Sequence, residues 1–225
     1  MFHTLQHLES SPAVEDCVRA IHALQTDNGT ATTTTLAGRL GVTPGSASAM
    51  VKRLAELGLV DHAPYRGAVL TPTGTRAALE VTRHHRLLET FLAQELGMPW
   101  EQVHAEADRL EHVLSEELEA LIAAKLGDPD HDPHGAPIPS RDLELPLDTS
   151  VRLGSLAVGA TGTLTRVSDA DPEMLRYLGE HGIGLGDALE IVDRQPFGGP
   201  VLARFGETVH PLGDLLADAM WVEVA

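Results

Sequence analysis

The sequence has 225 residues, with 16 Lys and Arg against 33 Asp and Glu for a formal charge of −17, and is 43 % hydrophobic but only 4 % aromatic. That length suits two or three modest domains with aliphatic cores, and the lack of any run of about 18 apolar residues excludes a spanning helix. The single cysteine, Cys17, excludes a disulfide framework. Together with an opening stretch, MFHTLQHLESSP, that has neither a basic nor an apolar signal region, it predicts a reducing, cytoplasmic setting.

Ser11-Pro12 opens the first predicted helix, a Ser cap followed by Pro at the first helical position. Val14, Val18, Ile21 and Leu24 follow at helical spacing, and the helix is expected to end before the turn signal Asp27-Asn28-Gly29. Thr33–Thr35 cap a short second helix containing Leu36, Ala37 and Leu40. Thr43 and Pro44 then start a third, whose buried face is Ala47, Met50, Val51, Leu54 and Leu57, with Gly58 as its stop. Leu59–His62, Pro64–Gly67 and Ala68–Thr71 read as strand, turn and strand. Helix, helix, turn, helix, hairpin is the order of a winged helix-turn-helix.

A long helix is predicted from Thr75 to Leu96, broken at Gly97-Met98-Pro99, and another from Glu101 to Leu126. Pro129, Pro133, Pro137, Pro139 and Pro146 then mark a stiffened linker or loop. Beyond Thr149 the pattern becomes short and β-like. Strands are expected at Gly159–Val167, Ala188–Asp193, Val201–Phe205, Thr208–Pro211 and Met220–Val224, with one helix at Pro172–Gly179, which suggests a small barrel.

The acidity is uneven. From Thr30 to Arg86 the bases Arg39, Lys52, Arg53, Arg66, Arg76, Arg83 and Arg86 meet only Glu56, Asp61 and Glu80, a local balance of +4. A basic module on an acidic body is the footprint of a DNA-binding domain attached to something else. The third helix would enter the major groove by its N-terminal residues, Thr43, Pro44, Gly45, Ser46, Ser48 and Ala49. They are small, which favours close approach and readout by shape over bidentate base contacts. Lys52, Arg53 and Arg66, at the hairpin tip, are placed for phosphates.

Two helical stretches are dense in ligand types. His85 and Glu89 are four apart, and His104, Asp108, Glu111 and His112 follow one another at helical steps on a single stripe. Any one such residue is more often solvated or ion-paired. Several carboxylates aligned beside imidazoles are costly to leave together without a cation. Oxygen-rich donors with one or two His suit Mn²⁺ or Fe²⁺ better than a structural zinc.

HHRLLETFL, VHAEADRLEHVLSEELEALI and DPHGAPIP resemble the diphtheria-toxin-repressor family of metal-dependent regulators, of the manganese-responsive type. TPGSASAMVKRLAELGLV and PYRGAVLTPTG resemble its winged helix, and EIVDR its SH3-like domain. The resemblance implies a mainly α protein with a small β part. Its order would be a winged helix-turn-helix at 1–74, a helical metal-binding and dimerisation domain at 75–140, a linker at 141–150 and an SH3-like β-barrel at 151–225. It implies a homodimer on double-stranded operator DNA, repressing metal-homeostasis genes when metal-loaded. Its primary site would be Asp16, Asp108, Glu111 and His112, and its ancillary site His85, Glu89, His104, Asp132 or His134, and Asp171. Relatives of the iron-sensing branch carry Met and Cys at the first two primary positions. Asp at both predicts Mn²⁺ first and Fe²⁺ second, with Co²⁺, Ni²⁺, Zn²⁺ and Cd²⁺ as substitutes in vitro. Bacillus-type members have Glu where this chain has Arg19. No HExxH, P-loop or GxSxG is present, so a regulator is expected, with no small-molecule substrate and no membrane partner. The alternatives are a metal-independent winged-helix regulator and, more remotely, a metalloenzyme built on the carboxylate and His ligands.

Overall fold

The computed structural model describes residues 11–63 and 67–225. They form two compact units. One comprises the chain up to His85 with Arg109–Glu116 and Pro139–Glu144; the other comprises Arg86–Asp108, Glu117–Ile138 and Leu145–Ala225.

In the first unit, α1 (Pro12–Asn28) begins with Pro12 behind an extended Ser11. It runs two residues into the expected turn signal and stops at Gly29, which takes φ 71° and returns its N–H to Gln25 O, the left-handed closure that glycine favours. Thr32 caps α2 (Thr33–Leu40) by accepting from Thr35 N at 3.1 Å. Thr43 caps α3 (Pro44–Glu56) by accepting from Ser46 N at 3.2 Å. The antiparallel wing follows as β1 (Val60–Ala63) and β2 (Gly67–Leu70), with Val60 opposite Leu70. Ala31 bridges to Ala68 as a third rung. Val18, Ile21, Leu36, Leu54 and Leu59 are sealed in one core with Cys17. α1 and α3 share that core, so the pose of α1 constrains the pose of α3.

α4 (Pro72–Leu96) starts three residues before the expected Thr75. Gly74 lies in its first turn, where a Cβ would be 1.9 Å from Leu59 O. The predicted second long helix is not continuous. α5 (Trp100–Leu110) tightens into a 3-10 turn at Glu111–Val113, Leu114 is extended, and α6 (Glu116–Leu126) restarts. Ser115 followed by Glu116 and Glu117 is a helix-start signal, with acids at a helix N-terminus, that the longer periodicity obscures.

In the second unit the loop after α6 is held by its own chemistry. Asp132 accepts from His134 N at 2.8 Å and Ala136 N at 2.9 Å. Arg86 donates to Pro137 O and lies 3.5 Å from Asp132. Gly135 has φ 81°, and a Cβ there would be 1.9 Å from Thr165 O. Gly135→Ala should therefore cost about 2–3 kcal/mol from the left-handed backbone and the clash together. A urea melt checks this; an unchanged midpoint would mean that the loop and its neighbour separate without cost.

The C-terminal part is an antiparallel sheet of six strands in the order β3-β8-β4-β5-β6-β7. Their ranges are β3 Val151–Arg152, β4 Thr161–Val167, β5 Ala188–Arg194, β6 Val201–Phe205, β7 Thr208–Leu212 and β8 Met220–Val224. β3 and β7 end the order, so the hydrogen-bonded ladder stays open among the described residues. β3 and the short α8 (Asp214–Asp218) fall outside the expected elements. α7 (Pro172–Glu180) packs Leu175 and Leu178 into a core with Leu164, Ile191 and Leu212. No described helix is long and apolar enough to cross a membrane.

Candidate metal centre

The first cluster lies in the first unit. α1 brings Asp16, and the 3-10 turn brings Glu111 and His112. One donor atom from each lies within 4.8 Å of the others. His112 Nε2 is 3.3 Å from Asp16 Oδ1 and 3.6 Å from Glu111 Oε1. Glu111 is buried to 3 % exposure. Its Oε2 is 2.5 Å from His85 Nδ1, while its Oε1 is buried without a hydrogen bond, with Arg19 Nη2 at 3.4 Å as an ionic neighbour. A buried carboxylate oxygen with no donor costs free energy that a coordinated cation would recover. Cys17, next to Asp16, is no ligand candidate. Burial first, and the Asp16 charge second, push its thiol up to about 12, and it belongs to the apolar core.

The second cluster lies in the second unit. Glu89 of α4 is fully buried, with Oε1 3.0 Å from His104 Nδ1. The same ring nitrogen is 3.2 Å from Asp169 Oδ2. Asp132 and His134 join Glu89 from the loop, one donor atom of each within 4.8 Å of the others. His134 Nε2 donates to Trp100 O at 2.8 Å. That leaves Nδ1 buried without a hydrogen bond, 3.8 Å from Glu89 Oε2. A histidine whose one nitrogen donates to a backbone carbonyl while the other faces carboxylates is arranged as a metal ligand usually is.

Electrostatics show the same need for positive charge. Burial would lower His104, but hydrogen bonds and charge from Asp169 and Glu89 outweigh it and raise it to about 10. Burial likewise opposes the negative charge of nearby Glu89 at His134, which rises to about 9. Burial and then the Glu89 charge push Asp132 up to about 6 despite Arg86 and His134. Burial would raise Asp169, yet its bond to His104 holds it well below the usual carboxylate range.

The predicted stripe on α5 thus divides where the helix tightens. Glu111 and His112 face Asp16, and His104 faces Glu89 and Asp169. Asp108 has its carboxylate 3.6 Å from His104 Nε2. His85, predicted for the ancillary set, hydrogen-bonds Glu111. Asp171, expected from the C-terminal part, is instead the cap of α7, accepting from Glu173 N at 2.9 Å; Asp169 is the acid at His104. Asp171-Pro172 is a helix-start pair, a signal that could have directed attention to Asp169. Glu15, absent from the sequence reading, holds His112 Nδ1 at 2.6 Å.

On α3, Pro44, Gly45, Ser46, Ser48, Ala49, Lys52 and Arg53 are exposed together with Thr43, while Ala47, Val51 and Leu54 are buried. Arg53 is 3.7 Å from Glu56. Arg66 lies outside the described residues.

Sequence models of three protein families match consecutive stretches. They are the iron dependent repressor N-terminal DNA binding domain over residues 9–68, the iron dependent repressor metal binding and dimerisation domain over 71–140, and the FeoA domain over 151–224. The iron-dependent repressor IdeR of Mycobacterium tuberculosis is 32 % identical over 218 residues, 92 % of this chain and 94 % of that protein. This chain belongs to the diphtheria-toxin-repressor family. The diphtheria toxin repressor of Corynebacterium diphtheriae is 32 % identical over 209 residues, 88 % of this chain and 91 % of that one. A solved manganese-dependent transcriptional repressor in complex with manganese is 42 % identical, with TM-score 0.90, over 94 % of this chain and 100 % of its own. The protein is therefore a metal-dependent transcriptional repressor of this family and not an enzyme. It carries the family's DNA-binding and dimerisation domains.

Proposed function

We propose that this repressor answers to Mn²⁺, with Fe²⁺ as the second choice, and that as a cytoplasmic homodimer it binds operator DNA of metal-homeostasis genes when metal-loaded. The observation that carries the metal assignment is the donor chemistry. Both clusters are built from carboxylates and imidazoles, and the one thiol is sealed in the core with its pKa at about 12. Hard oxygen donors favour Mn²⁺ over softer ions more than a sulfur-containing set would.

The responsive site is Asp16, Asp108, Glu111 and His112. Asp108 is assigned by its spacing, three and four residues before Glu111 and His112. The second site is Glu89, His104, Asp132, His134 and Asp169, with His85 one turn before Glu89 on α4 and tied to Glu111. A divalent ion supplies the positive charge that lets these carboxylates stay together. Asp16 is the link to DNA, because it lies on α1, which shares a core with α3. Half-sites on DNA are about 34 Å apart, so a small rotation of α3 decides whether both copies of a dimer engage. Thr43, Pro44, Gly45, Ser46, Ser48 and Ala49 approach the groove, and Lys52, Arg53 and Arg66 the phosphates.

The test is an operator-binding titration in parallel series of Mn²⁺, Fe²⁺, Co²⁺ and Zn²⁺, with chelator as the blank. Mn²⁺ should raise operator affinity about 5–150-fold, the usual range for such coupling, at a concentration where Fe²⁺ has a smaller effect. A preference for Fe²⁺ would overturn the manganese assignment. Full affinity in chelator would overturn metal control by these sites.

A further inference from the structure

Glu15 belongs to neither candidate ligand set, yet it makes a close contact to His112. Its Oε2 is 2.6 Å from His112 Nδ1, with the two side chains 16 % and 14 % exposed. The opposite ring nitrogen faces Asp16 at 3.3 Å and Glu111 at 3.6 Å. Neighbouring helical residues project about 100° apart, so Glu15 and Asp16 reach the two nitrogens of one ring from a single helix.

We propose that Glu15 is a positioning residue for metal binding: it accepts the Nδ1 hydrogen of His112 and thereby holds the Nε2 lone pair toward Asp16 and Glu111. This rests on the reading of Asp16, Glu111 and His112 as metal ligands. A neutral imidazole has one N–H, so the nitrogen that donates determines which one can ligate. Here Nδ1 meets a carboxylate, which leaves Nε2 as the free donor facing the cluster. A carboxylate acceptor also makes the opposite nitrogen a stronger ligand, and loss of such a partner usually weakens metal binding 10–100-fold. The hydrogen bond has a second consequence. It joins α1 to the 3-10 turn before any metal arrives, so the ring already points toward the site on binding.

The rival role for Glu15 is structural, as an acid in the first turn of α1 favouring the helix dipole. That role predicts a loss of metal-free stability, with metal affinity and the His112 ring untouched. The experiment uses the full-length protein with Glu15→Gln, which keeps size and removes charge. Mn²⁺ affinity is measured by calorimetry, and the His112 ring by ¹H–¹⁵N spectra of the Zn²⁺-loaded protein. Mn²⁺ should bind 10–100-fold more weakly, and the hydrogen-bonded Nδ1 proton should move upfield. Unchanged Mn²⁺ affinity, or weaker affinity with an unchanged His112 signal, would overturn the proposal. His112→Ala is measured alongside. If it abolishes the same binding event while Glu15→Gln leaves it intact, only the role of Glu15 fails. If His112→Ala also leaves binding intact, the site assignment itself fails.

Discussion

Asp16→Ala should remove the effect of Mn²⁺ on operator affinity while leaving the metal-free protein folded. The side chain of Asp16 is 40 % exposed, and its carboxylate lies 3.3 Å from His112 Nε2. An exposed acid of this kind contributes little to folding, so the metal-free melt should shift by no more than about 0.5 kcal/mol. Its contribution to metal response is of a different size. Asp16 is the candidate ligand on α1, and an ion shifts an equilibrium only by its differential affinity for the two states. Without Asp16 the ion no longer distinguishes one pose of α1 from another. Operator affinity in saturating Mn²⁺ should fall about 5–150-fold, toward the level in chelator. Fluorescence anisotropy on operator DNA measures this directly. A mutant that keeps the wild-type gain from Mn²⁺ would place the coupling elsewhere.

Glu111→Ala should have the opposite profile in the absence of metal, a large loss of stability. Glu111 is buried between His85 at 2.5 Å and Arg19 at 3.4 Å, and its own side chain is fully inaccessible. Removing one member of a buried charged group leaves the others without a counter-charge, which costs about 3–5 kcal/mol. The Arg19 side chain is 23 % exposed and can turn toward water, which puts the expected cost near the lower end, about 3 kcal/mol. Urea melts in chelator measure it. The same variant should also lose the thermal stabilisation by Mn²⁺ seen in wild type, because a ligand stabilises only through binding to the folded state. A melt as stable as wild type would mean that Glu111 is held at this position for the metal alone.

These two expectations separate what could be read along the chain from what could not. The caps of α2 and α3 and the start of α1 are local chemistry: Thr32, Thr43 and Pro12 act within one turn of their own position. The alternation of small strands after Thr149 is likewise local, and all five expected strands lie within a residue or two of their observed limits. Glu89, His104, Glu111 and His112 were legible as ligand-type residues from helical spacing and from family resemblance together, whereas Asp16, Asp132 and His134 were legible from the resemblance alone. Arg19 was legible as a departure from some relatives, and Glu111 is its described ionic partner.

Other features depended on contacts far apart in sequence. Glu15 and Asp16 are adjacent acids, and only the position of His112, 97 residues away from Glu15, gives one the ring's Nδ1 and the other its Nε2. Asp169 and Asp171 differ by two residues, and one pairs with His104 while the other caps α7. The break at Glu111–Val113 belongs to the same class. Periodicity alone continues the helix, whereas the buried hydrogen bond of Glu111 to His85 and its ion pair with Arg19 accompany its tightening. Most of the elements and the kinds of ligand were legible along the chain, because caps, turns and apolar spacing act over a few residues. Tertiary structure decided which acid meets which imidazole, because a polar contact selects a single atom and neighbouring carboxylates have the same chemistry until the fold brings one of them into reach.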